Sequence, residues 1–284
     1  MKPVATMGDN CLDRYLPPLD REFVGGNALN VAIGLRDHGH DVAYAGAVGS
    51  DRAGEAVLAA ARGRGIDTAH VHVGPGATGV TTIRLTDDGD RVFESEVLGE
   101  SGTYRPDPAT LADLASRAWV HGAGLAGGVE GFTGLRRGGA RLSYDFSHAS
   151  SPERMAQLCP HLEVAFLSAP GAEADEAAGL AQRAVAAGAA TAVVTRGRHG
   201  SLALAGRVHH QPPVPVPVVD TLGAGDAYIA GCITTLVEGG TFETALRLGA
   251  EAAARTCTHY GAWLPPEHRD AVPRRNPPRC GVEL

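Results

Sequence analysis

Between residue 106 and residue 195, short runs of β-branched and apolar residues recur with helix-length stretches between them. Strands are read near 118–121, 141–146, 163–168 and 191–195. A strand that must run parallel to its predecessor needs a crossover of a dozen or more residues, and a helix makes that crossover compactly. The alternation therefore predicts an α/β fold: a mostly parallel central sheet covered by helices on both faces.

The N-terminal third reads the same way, with one interruption. VATMGD (4–9) is a strand. In GGNALNVAIGLRDHG, Asn27 is placed to cap a helix whose apolar face includes Leu29, Ala32, Ile33 and Leu35, with Gly39 as its stop. VAYAGAVG (42–49) is a strand, and Asp51 caps the helix that follows. The interruption, CLDRYLPPLDREF, reads as irregular, too polar and proline-broken to be core. Residues 80–97 differ in kind: two alternating β-rich segments joined by DDGD predict a hairpin projecting from the main sheet. The run HHQPPVPVPVVD (209–220) is extended and leads into two helices, about 226–238 and 242–258, the second opened by Thr241. The tail PRRNPPRCGVEL is expected to be poorly ordered.

Composition narrows the function classes. A chain of 284 residues with 44% hydrophobic content buries a large core, and one α/β domain over 1–284 with an excursion fits best. No charged segment followed by an apolar stretch opens the chain and no apolar run approaches a membrane span, so a cytoplasmic protein is expected. Five scattered cysteines without a CxxC spacing argue for reduced thiols, not a disulfide framework or a zinc site. A net charge of -7 speaks against a nucleic-acid partner. Lys2 is the only lysine, so no interior lysine serves as Schiff-base former, catalytic base or P-loop phosphate ligand.

Three glycine-rich stretches carry candidate chemistry. In DTLGAGD (Asp220 to Asp226), Gly223, Ala224 and Gly225 at a helix N-terminus would present unpaired backbone amides, and the helix dipole favours an anion there. Asp226, in the first turn of that helix, is placed to take a proton from an alcohol beside a bound phosphate. On these residues alone, a plain turn with a capping aspartate is equally open. TRGRHGS (195–201) follows an apolar strand, where Thr195, Gly197 and Gly200 suit close approach to a nucleotide or an ordinary hairpin. GAGLAG (122–127) spells GxGxxG, but the segment after it is too rich in glycine to open a stable helix. Asp9 and Asp13 stand near a strand's carboxyl end, where they could accept hydrogen bonds from substrate hydroxyls or lie in a solvated loop. The histidine pairs 38/40, 70/72 and 209/210 lack a third nearby ligand and read as surface or hydrogen-bonded residues.

GGNALN, VGSDRAG (48–54), TRGRHGS and DTLGAGDAYIAG occur in the order and spacing of the ribokinase-like, or phosphofructokinase B, carbohydrate kinases, and the resemblance spans residues 1–263. More narrowly, TMGDNCLDRY, FVGGNALNVA, DFS (145–147), FLSAP and HYGAW resemble fructoselysine 6-kinases. The resemblance implies a three-layer α/β/α sandwich with a small β lid formed by about 11–24 and 78–100. It implies transfer of a phosphoryl group from Mg-ATP to the 6-hydroxyl of a fructosamine such as fructoselysine, or of another sugar or amino-acid conjugate. By likeness Asp226 is the base, with the amides of Ala224, Gly225 and Asp226 as the anion hole. Asp13, Gly25, Gly26, Asn27 and Asn30 match sugar-contacting positions, with Asp9 beside them. Thr195, Gly197 and Gly200 match the nucleotide loop, and Asp220 and Thr221 match a site for a monovalent cation such as K+. The lid commonly clasps a second subunit. One departure stands out: the region of the family's NxxE motif reads LSAPGAEADE, without asparagine, leaving Glu173 as the acid for Mg2+. With no lysine available, charge on the phosphoryl oxygens falls to backbone amides, Mg2+ and arginines such as Arg196, Arg198 or Arg91.

Overall fold

The computed structural model describes residues 2–86, 90–125, 129–148 and 151–264. The tail PRRNPPRCGVEL and three residues of the DDGD turn lie outside the described residues.

Strands β1 (Val4–Gly8) and β4 (Val42–Gly49) are buried along their whole length, as strands covered on both faces must be. Their alternating side chains enter two different cores. Val4, Val42, Tyr44 and Val48 pack against α1 (Asn27–Asp37), α2 (Arg52–Gly63), α7 (Ala224–Val237) and α8 (Phe242–Thr256). Ala5, Met7, Ala43 and Ala45 belong to the opposite core, shared with α3 (Pro108–Ala115), α4 (Val129–Gly134), α5 (Pro152–Leu158) and α6 (Ala174–Ala186). The result is the three-layer α/β/α sandwich that the alternation predicts.

The main sheet adds β5 (Asp67–Gly74), β8 (Trp119–Ala123), β9 (Arg141–Asp145), β10 (Val164–Ser168), β11 (Ala192–Thr195), β12 (Ser201–Ala205) and β13 (Arg207–Gln211). Its order is β13-β12-β11-β10-β9-β8-β1-β4-β5. It is parallel throughout except at β12 and β13, which pair antiparallel at one edge. The order reverses around β1, which lies between β4 and β8. Open α/β sheets bind ligands at such a reversal, beyond the carboxyl ends of the strands. Asp9 is the first residue past that end of β1.

A second sheet of four strands, β2 (Cys11–Tyr15), β3 (Arg21–Gly25), β6 (Thr78–Leu85) and β7 (Arg91–Gly99), runs in the order β3-β2-β6-β7. The reading of CLDRYLPPLDREF as irregular is thus corrected: β2 and β3 pair antiparallel across it. Cys11, Asp13 and Tyr15 point to a buried face, while Arg14 between them is exposed. The polar composition hid a period-two pattern because one inward position holds a carboxylate. The hairpin expected at 80–97 is β6 paired with β7.

Two of the three helix caps expected from the sequence form, and the third is replaced. Asp51 accepts from the Gly54 amide at 2.8 Å and Thr241 from Thr244 at 3.3 Å, as their positions predict. Asn27 is not the cap of α1; Gly26 holds that position with φ 105°, and no local side chain caps it. Asp9 supplies the cap from a distance, its two oxygens accepting from the Asn27 and Ala28 amides at 3.0 Å each.

Helices α7 and α8 cross where Gly231 meets Gly249. A β-carbon at Gly231 would lie 2.8 Å from the Gly249 Cα and from the Leu248 carbonyl oxygen, so any side chain there forces the helices apart. Gly231→Ala is expected to cost roughly 1–3 kcal/mol by overpacking, read as a lower urea midpoint. An unchanged midpoint would contradict the close crossing.

Candidate active site

The site is built on the first turn of α7. Gly223 precedes it with φ 74°, and a β-carbon there would strike Ala262, so both backbone and space require glycine. No side chain caps the helix. The Ala224 amide donates to the Thr221 carbonyl at 3.3 Å, whereas the Gly225 and Asp226 amides have no backbone acceptor. Gly225 faces open space, with nothing within 4 Å of where its β-carbon would be. An anion can therefore approach two free amides at the positive end of a buried helix.

Asp226 lies in this turn and is only 7% exposed. Its Oδ2 accepts from Asn30 Nδ2 at 2.8 Å, so α1 orients the carboxylate that α7 carries. Burial pushes the Asp226 carboxyl well above the usual carboxylate range; the Asn30 hydrogen bond and Arg91 pull it down, and Asp145 and Asp9 push it up. Asn30 is itself 7% exposed, and its Oδ1 has no partner. Such a buried acceptor suits a hydroxyl supplied by a ligand.

The other expected sugar-contacting residues gather around this pair. Asp13 on β2 is 3% exposed and accepts from the Cys11 thiol at 3.3 Å, and burial raises its carboxyl to about 7. Gly25 sits against the Asp13 carboxylate, and Gly26 against the backbone of Asn10, both too closely for a β-carbon. Asp145, at the end of β9, accepts from the Ser147 amide at 2.8 Å, and burial raises it to about 6. In the sequence Asp145 stood out as the first residue of DFS; its electrostatic coupling to Asp226 had no local signal. The two described glycines of the GxGxxG pattern serve packing instead, Gly122 against Phe132 and Tyr144 and Gly124 against Asp9, while Gly127 lies outside the described residues.

The leading half of DTLGAGD fastens the site. Asp220 is fully buried, and its oxygens accept from the Tyr15 hydroxyl, from the Leu222 amide at 2.9 Å and from the Gly261 amide at 2.9 Å. Tyr15 is a residue that sequence reasoning missed, though its place in the β2 alternation was a usable signal. Arg91 reaches from β7 to the Thr221 hydroxyl at 2.9 Å and carbonyl at 3.1 Å, and the same hydroxyl donates to Asp90 at 2.8 Å. The carboxylate oxygens of Asp220 and the hydroxyl and carbonyl of Thr221 are thereby engaged by this chain's own groups.

Thr195, Gly197 and Gly200 share the turn between β11 and β12, with φ 59° and 79° at the two glycines. The turn is a hairpin, and it lies beside α7: Ser201 and Tyr228 share a hydrogen bond of 2.6 Å. Arg196 is turned inward, donating to the Ala172 carbonyl at 2.8 Å, next to Glu173. Glu173 stands exposed at the start of α6 without a capping bond. Among the described residues no cluster of three or more metal-binding side chains forms. Lys2 donates to the Val237 carbonyl at 3.0 Å, at the far end of α7.

Asp13 and Asp145 hold their protons more tightly folded than unfolded. Their contribution to stability is fully present below the unfolded value near 3.8 and is lost as pH rises through about 6 to 7. Asp13→Asn should therefore melt higher than the parent at pH 8, by a margin on the order of 1 kcal/mol, and the gap should close toward pH 5. Thermal melts of the ligand-free proteins check this; a gap that does not depend on pH would contradict it.

Comparison with known proteins identifies the family. The chain matches the family described as pfkB family carbohydrate kinase over residues 20–129 and 161–269. It is 38% identical to a fructoselysine 6-kinase of Shigella flexneri, over 93% of this chain and all of that one. It is 33% identical to the fructosamine kinase FrlD of Bacillus subtilis, over 93% of each. In fold it is similar to Arabidopsis thaliana ribokinase complexed with ribose and ATP, with a TM-score of 0.80 at 20% identity, covering 92% of this chain and 94% of that one. The chain belongs to the pfkB family of carbohydrate kinases.

Proposed function

We propose that this carbohydrate kinase transfers the γ-phosphoryl group of ATP to the 6-hydroxyl of a fructosamine, fructoselysine first among them. The observation that carries the chemistry is the first turn of α7, where a buried, Asn30-oriented carboxylate and two open amides share one site. The choice of substrate is supported by relatives named fructoselysine 6-kinase and fructosamine kinase, which align along nearly the whole chain.

Asp226 takes the proton of the attacking hydroxyl through the oxygen that Asn30 leaves free. A base in this position contributes about 10²–10⁴-fold. Its raised carboxyl suits the role, since a stronger base accepts the proton more readily while remaining ionised above its own titration. The Gly225 and Asp226 amides receive the charge of the phosphoryl oxygens, fixed in place before reaction. Asn30 Oδ1 and Asp13 hold sugar hydroxyls. The turn holding Thr195, Gly197 and Gly200 receives the nucleotide.

ATP, bound with Mg2+, supplies the phosphoryl group and a cation to offset its charge. The described residues form no protein cage for the metal, and the acids near the nucleotide turn, Glu173 with Asp175 and Glu176, face solvent, so Mg2+ would be held chiefly by the phosphates. Potassium has a poorer fit: Asp220 and Thr221 spend their oxygens on Tyr15, Leu222, Gly261 and Arg91. The lid strand β7 leaves Val97 59% and Phe93 52% exposed, apolar surface that supports pairing of two lids in a homodimer.

A coupled assay across fructoselysine, fructose, ribose and a nucleoside tests the reading. Fructoselysine should give the highest kcat/KM, with the phosphate on its 6-hydroxyl. Preference for ribose or a nucleoside would reassign the substrate, and ligand binding without ATP turnover would make the chain a sensor on the same fold.

A further inference from the structure

The inner face of the lid carries charge of opposite sign at its two ends. Residues directly opposite on neighbouring strands share a face. Asp13 pairs with Thr81, and Thr81 pairs with Glu96, so these three form one row across β2, β6 and β7. The row faces the site: Tyr15, two residues after Asp13, reaches Asp220, and Thr81 donates toward Cys11 at 3.5 Å. At the other end Arg91 holds Thr221 beside the phosphoryl-binding turn. Arg91 and Glu96 are roughly 16 Å apart along β7 at the usual rise of a strand.

Glu96 is unlike the other lid glutamates. Glu94 is paired with Arg84 at 2.6 Å and Glu22 with Arg14 at 2.7 Å, both neutralised. Glu96 has no hydrogen bond or ion pair among the described residues. Glu96 is exposed to solvent, yet loss of hydration on its protein side and the nearby charge of Asp9 hold its carboxyl above the usual range. This end of the site therefore gathers three carboxylates, Asp9, Asp13 and Glu96, while the cation that acts on Asp13, Arg91, stands at the other end of β7 and is committed to Thr221. A neutral sugar leaves that imbalance standing, whereas a cationic substrate relieves it. A fructosamine carries a secondary ammonium at C1, across the sugar from the 6-hydroxyl that meets Asp226.

We propose that Glu96 is the specificity-determining residue of the lid, its carboxylate receiving the secondary ammonium at C1 of the fructosamine. The proposal rests on the fructosamine reading above. Glu96 contacts the arm of the substrate remote from the reacting atoms, so it acts on affinity and not on the chemical step.

The test compares the parent enzyme with Glu96→Gln and Glu96→Asp, using fructoselysine and fructosylglycine as substrates and fructose as competitive inhibitor. Glu96→Gln should raise KM for both fructosamines by roughly tenfold, the scale of one lost charge-assisted hydrogen bond, with kcat within about twofold. The inhibition constant of fructose should not move, and Glu96→Asp should recover part of the loss. An equal weakening of fructose would show a merely structural effect and overturn the proposal. So would an unchanged KM for both fructosamines, or a loss confined to fructoselysine, which would place Glu96 at the lysine end of the arm. A parent enzyme that fails to phosphorylate either fructosamine sinks the underlying reading instead, which the same assay separates from failure of the Glu96 assignment.

Discussion

A carboxylate buried at the positive end of a helix is the constraint on which this molecule is arranged. Asp226 must stay out of bulk water to be a competent base, yet the neighbouring Gly225 and Asp226 amides must stay open to an anion. Both are met only if the turn before α7 is rigid. Gly223 enters it in a left-handed conformation against Ala262, and Asp220 ties it to β2 through Tyr15 and to Gly261, with a third hydrogen bond from Leu222 inside the turn. The close contact of Gly231 with Gly249 then seats the rest of α7 on α8. Asn30, from α1, fixes the carboxylate's orientation, and the start of α1 is in turn fixed by Asp9 at the reversal of the main sheet.

The lid extends this arrangement instead of merely covering it. Tyr15 and Arg91 both end on the DTL half of the phosphoryl-binding motif, so the second sheet and the catalytic turn share hydrogen bonds in the conformation described. Closure of this kind keeps water from competing with the sugar hydroxyl. The proposed function then needs no ammonium group: the single lysine is held at the remote end of α7, and the free amides and the lid arginine are the groups proposed to meet phosphoryl charge.

What the sequence disclosed followed the strength of local patterning. The fully buried, largely apolar β1 and β4, the capping residues Asp51 and Thr241, and the hairpin of β6 and β7 all announce themselves through composition, period or capping chemistry. DTLGAGD was legible as a helix N-terminus, but its function became legible only beside the other family motifs. The strands β2 and β3 were hidden because Asp13 occupies an inward position, where polarity argues against burial. Asn27 was misassigned as a cap because Asp9 performs that task from another element, eighteen residues earlier in the chain. The couplings of Tyr15 to Asp220, Asn30 to Asp226 and Arg91 to Thr221 join residues 130 to 205 positions apart, and no local pattern carries such information.

The most direct measurement is kcat for Asp226→Asn, with sugar affinity followed separately by equilibrium binding. Loss of the base should lower kcat by about a thousandfold while the sugar still binds within a few-fold of the parent, because the amides and Asn30 remain in place. Turnover within tenfold of the parent would contradict the assignment of Asp226 and with it the account of why α7 is built as it is.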